Sequence, residues 1–64
     1  MKFFNHYKEE IESKEVQDFI NYICKNYTIS KEKIILMLNE ERSACSSMEE
    51  AMKNVNTRIE FIMI

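Results

Sequence analysis

Among residues able to do chemistry, this chain has one histidine, two cysteines and eleven carboxylate side chains. His6 stands three residues before Glu9 and four before Glu10, so on a helix the three would share a face and form a weak divalent-metal or acid–base grouping. Histidine catalysis also needs a nucleophile or orienting partner within hydrogen-bond reach, and a concave site to hold both. The sequence around His6 offers neither, and it reads as a solvent-facing side chain. Glu9, Glu10, Glu12 and Glu15, and the pair Glu40 and Glu41, read likewise as solvated helix faces, with no apolar setting that would make one a general acid.

Cys24 follows Ile23 beside an apolar stripe, and Cys45 precedes the last helical segment, where a helix N-terminus can activate a thiol. Both read as small, partly buried thiols without a base. They lie far apart, form no CxxC and cannot complete a tetrahedral set with a single histidine, so neither a disulfide nor a structural metal is the expected staple. The chain has no glycine, which removes the phosphate-cradling loops of nucleotide and dinucleotide sites. No catalytic residue, cofactor or metal is expected.

Nucleic-acid binding is the alternative function. Two helical segments flank KNYTIS in the outline of a helix-turn-helix, placing Lys31 and Lys33 where a recognition helix reads bases and Tyr27 and Thr28 where phosphates pass. Against it, nine basic and eleven acidic side chains are intermixed along the chain, for a net charge of −2, and no stretch forms a basic patch. Nucleic acid is therefore a disfavoured partner.

The elements that must position these residues are helical. With no glycine and no proline, tight hairpin turns have few places to form, whereas helices can run uninterrupted. In SKEVQDFINYICKNY, Ser13 caps a helix whose Val16, Phe19, Ile20, Ile23 and Tyr27 recur at helical spacing. Upstream, Phe4, Tyr7 and Ile11 share that period, but the five-residue step from Ile11 to Val16 breaks the phase. Residues 5–12 are thus either a separate short helix or a rotated beginning of the next. In TISKEKIILMLNEERS, Ser30 is the N-cap and Ile29 a hydrophobic staple for a helix over 31–42. Its run Ile34 to Leu38 is apolar around much of the girth, which calls for contacts on more than one side.

The final stretch, CSSMEEAMKNVNTRIEFIMI, contains two overlapping S-x-x-E boxes, Ser46 with Glu49 and Ser47 with Glu50. From there Met48, Met52, Val55, Ile59 and Ile62 follow at intervals of four, three, four and three, the seam of a helix about four turns long. Glu49 and Lys53 add an i,i+4 pair. Asn54, Asn56 and Thr57 are mediocre helix formers and IEFIMI favours strands, so a strand from Arg58 onward is the alternative. The expected fold is all-α, a small bundle of three or four helices with short turns in one domain over 1–64; the alternative is α+β with that C-terminal strand.

The opening MKFFNHYKEEIE lacks the run of at least about seven apolar residues that a signal peptide needs. The longest aliphatic run also falls far short of the ~20 residues that span a bilayer. A cytoplasmic chain without a membrane partner is the expectation. A chain of this length buries only about 60% of the surface its unfolded form exposes, so apolar side chains are left over. Those side chains are Phe3 and Phe4, the methionine-rich seam, and Phe61 to Ile64. The leading functional expectation is a non-enzymatic protein-interaction module, a small regulator, adaptor or inhibitor that occupies a protein surface. Its interface would comprise Met48, Met52, Val55, Ile59, Phe61, Ile62, Met63 and Ile64, paired with a second copy in a homodimer or with a larger target protein.

Overall fold

The computed structural model describes residues 7–63, and among these the chain is all helical, with no strand. Four helices follow one another: α1 (Lys8–Ile11), α2 (Lys14–Asn26), α3 (Lys31–Ala44) and α4 (Met48–Met63). The all-α expectation holds, and α4 runs unbroken from Met48 to Met63, so the alternative strand from Arg58 is not formed. Residues that favour strands join the helix because Ile59, one turn beyond Val55, is already locked into the core at zero exposure. Tertiary packing outweighs the propensity difference, which is at most about 1 kcal/mol per residue.

Serine starts each long helix. The Oγ atoms of Ser13, Ser30 and Ser47 accept the backbone N–H of Val16, Lys33 and Glu50, at 3.5, 3.3 and 3.2 Å. Each cap satisfies a donor that a helix start leaves without a partner. Of the two overlapping boxes in the sequence, the one beginning at Ser47 sets the start of α4. Ser46 instead donates its hydroxyl to the Glu50 carboxylate at 3.3 Å. The phase break between Ile11 and Val16 resolves as a chain break in the helix: α1 is one separate turn, and Gln17 Nε2 donates to the Ile11 carbonyl at 2.8 Å across the junction.

Every helix sends aliphatic side chains into one core: Ile11 from α1, Val16, Ile20 and Ile23 from α2, Ile34 and Leu38 from α3, Val55 and Ile59 from α4. Met37 joins them from α3, and Ala51 is fully buried on α4. α4 packs chiefly on α3, and α2 touches both less extensively. The apolar run of α3 is divided accordingly, with Ile34, Met37 and Leu38 buried, Ile35 half-buried and Leu36 exposed.

Polar ties set how the helices meet. Arg42, near the end of α3, donates from Nε to Glu10 Oε1 at 3.0 Å, donates from Nη1 to the Cys45 carbonyl at 3.2 Å, and lies over the Tyr7 ring at 4.9 Å. Buried Asn39, one turn earlier, accepts the Tyr7 N–H at 3.4 Å and donates to the Ile35 carbonyl at 2.9 Å. Arg42 therefore gathers α1, the end of α3 and the turn into α4 at one end of the molecule. The beginnings of α2 and α4 lie close to this end, since Glu10 and Cys45 each stand a few residues before them. Further along, Arg58 Nη1 reaches Glu41 at 2.9 Å and Glu40 at 3.6 Å, holding α4 against α3.

Replacing Leu38 by alanine removes a fully buried side chain from the helix that both long neighbours pack against. The expected loss is about 2–5 kcal/mol, read as a lowered midpoint in urea with an unchanged slope. In a domain this small that would approach complete unfolding at room temperature.

Candidate functional site

α2 and α4 share a furrow of about 760 Å³ on the flank not used for the core. From α2 it is lined by Val16, Phe19 and Tyr22, and from α4 by Met48, Met52 and Asn56. The geometry follows from helical spacing. On α2, Val16, Ile20 and Ile23 face inward, so Phe19 and Tyr22, three residues apart, fall on the shoulder of that stripe. On α4, Ala51, Val55 and Ile59 face inward, and Met48, Met52 and Asn56, four apart, form the adjoining row. Phe19, Met48 and Met52 are half-buried and rest against the core, while Tyr22 on the rim is 57% exposed. The stretch from Met48 to Asn56 gives the furrow a length of about 12 Å, a little over two helical turns.

The charged rim is uneven. Glu10, Glu15 and Glu49 border the furrow, with Lys53 as the cation among its lining residues. Glu15 and Glu49 belong to the first turns of α2 and α4, and Glu10 lies in α1 just before them. Since α2 and α4 begin together at the Arg42 end, the three carboxylates collect there, whereas Tyr22, Lys53 and Asn56 lie toward the other end. Glu10 shares its carboxylate with Arg42. Among the described residues neither Glu15 nor Glu49 has an ion-pair partner, and the Glu49–Lys53 spacing does not close into a salt bridge.

The expected interface seam is thereby divided. Val55 and Ile59 lie wholly inside the chain's own core and present no surface to a partner. Met48 and Met52 line the furrow. Phe61 and Ile62 are 82% and 69% exposed on the last turn of α4, while the Met63 side chain and Ile64 lie outside the described residues, as do Phe3, Phe4 and His6. Phe19 and Tyr22 belong to the furrow but not to the expected interface; two aromatics three apart on the edge of an apolar stripe were the available signal.

No protein-family model, curated protein or solved structure matches the chain.

The remaining candidates are scattered. Tyr27 is half-buried against the core, Thr28, Lys31 and Lys33 are exposed, and the outward face of α3 goes on through Glu32, Leu36 and Glu40 rather than through further cations. Cys24 and Cys45 are both free thiols and partly buried, and Cys45 Sγ accepts a hydrogen bond from Asn54 Nδ2 at 3.1 Å. Among the described residues no three His, Cys, Asp or Glu side chains come close enough to hold a metal ion. No helix among them is long and apolar enough to cross a membrane.

The contrast along α4 is directly measurable. Phe61→Ser with Ile62→Ser should leave the urea midpoint nearly unchanged, within about 0.5 kcal/mol, because both side chains already meet solvent. Ile59→Ala, two residues earlier, should cost about 2–5 kcal/mol. Equal effects would mean that the last turn is covered by something in solution.

Proposed function

We propose that this chain is a non-enzymatic protein-interaction module, a small regulator, adaptor or inhibitor, that works by holding part of another protein in the α2–α4 furrow. The observation that carries this reading is the furrow's composition. Phe19, Met48 and Met52 form an apolar floor that the packing of the described residues leaves partly open, and Tyr22 stands on its rim. Concave apolar sites with a few polar groups at the edge are the usual form of a binding site. Methionine adapts its unbranched side chain to the shape it meets, and tyrosine supplies a large, stiff contact with a polar tip. Removing such surface from water contributes roughly 25 cal/mol per Å².

The partner is read as a different chain rather than a second copy. A two-fold pairing places the same patch against itself, and a concave furrow set against a concave furrow leaves a void.

Site-specific photo-crosslinking tests this reading in cells. A benzophenone side chain replacing Met52 should yield a discrete heavier adduct on illumination, and the same group replacing exposed Lys25 in the last turn of α2 should not. Loss of the Met52 adduct on adding Phe19→Glu, in a variant that still unfolds cooperatively, would tie it to the furrow. Equal labelling from both positions, or no adduct at Met52, would overturn the proposal. An adduct of twice the chain's own mass would replace it with a homodimer.

A further inference from the structure

Resting on that reading of the furrow, we infer that its occupant is a single amphipathic helix with lysine or arginine at the end that lies beside Glu10, Glu15 and Glu49. Shape argues for a helix. The furrow is bordered by two helices that begin at the same end, and its floor has Phe19 on one side and Met48 with Met52, one helical turn apart, on the other. Side chains at i, i+3 or i+4, and i+7 of a third helix interleave with such rows. The length of about 12 Å accommodates that many anchors and no more.

Charge sets the chemistry and the direction. Three carboxylates stand at the Arg42 end, one of them shared with Arg42, and Lys53 stands toward the other. The positive ends of the α2 and α4 dipoles offset part of this negative charge, but two carboxylates with no ion-pair partner among the described residues remain at the rim. A cationic turn placed there gains attraction, and an anionic one meets repulsion. The same cationic end placed beside Lys53 gains nothing, so the helix has one preferred orientation.

The test uses the full chain and fluorescein-labelled peptides of about 16 residues, long enough to form a helix on binding. One has leucines at i, i+4 and i+7 with lysines grouped at one end. A second replaces those lysines by glutamate, and a third by glutamine. Fluorescence anisotropy should show the lysine peptide binding at least about tenfold more tightly than the glutamine peptide, with a preference that shrinks as salt rises. In E15K/E49K the order should invert, the glutamate peptide now binding best. E15Q/E49Q, which keeps hydrogen-bonding capacity without charge, should bind all three alike. Cooperative urea unfolding of each variant checks that the fold is intact.

Equal affinity for the three peptides in the wild-type chain would overturn the basic partner while leaving an apolar furrow that binds helices. Failure of every helical peptide, with the Met52 crosslink still present, would overturn the helical occupant and leave the furrow as a site for another kind of surface. A lysine-peptide preference that survives E15K/E49K would place the cationic end elsewhere and refute the assigned direction.

Discussion

The packing of α4 on α3 is the contact on which the rest of the molecule depends. It commits Ala51, Val55 and Ile59 to the interior, and a helix that points one row of side chains inward necessarily turns the neighbouring row sideways. On α4 that row is Met48, Met52 and Asn56. α2 makes the same compromise, since burying Val16, Ile20 and Ile23 leaves Phe19 and Tyr22 on its shoulder. The furrow is therefore a by-product of how three long helices share one small core. Nothing in the chain needs to be strained to make it, and no residue in the described part adopts a positive φ.

Size explains why the furrow is not filled from within. Four long helices would close it, but in this four-helix bundle α1 is a single turn and is used to cap the end where Arg42 sits. Among the described residues only aliphatic side chains and one alanine are fully buried, while the larger or more flexible groups Phe19, Tyr22, Met48 and Met52 are left at the margin. Aliphatic side chains pack a small core densely at little entropic cost, and methionine loses more rotamer freedom when fixed. The division also leaves the adaptable residues where a foreign surface can use them.

Helix identity and helix starts were legible in the sequence because both are local. Serine caps, helical spacing and the lack of glycine and proline act within a few residues; Ser13 and Ser30 cap where their position indicated, and of the two serines the sequence offered for the last helix it is Ser47 that caps. The choice between helix and strand for RIEFIMI was less legible. It depends on Ile59 meeting a core built from residues far away in sequence. The furrow was half legible, since the methionine row of α4 can be read from its spacing, whereas its facing row on α2 cannot. Phe19 and Tyr22 share a stripe with core residues, and only the angle at which α2 meets α4 decides which of them face inward. The polarity of the rim was also hidden. Glu10 is held there by Arg42 through a contact that spans 32 residues of chain, and Glu15 and Glu49 join it only through the way α2 and α4 border the same furrow.

The last turn of α4 and the furrow remain separate surfaces. Ile62 continues the phase of Val55 and Ile59, yet it is mostly exposed because the packed part of the bundle stops short of it. Phe61 follows Met52 by nine residues, which at about 100° per residue places it on the opposite side of the helix. A single straight helix seated against Met48 and Met52 would leave Phe61 uncovered. The described apolar residues of α4 therefore face in more than one direction. Its inward residues hold the core together, Met48 and Met52 line the furrow shared with α2, and the exposed aromatic near its end lies on the side of the helix opposite Met52.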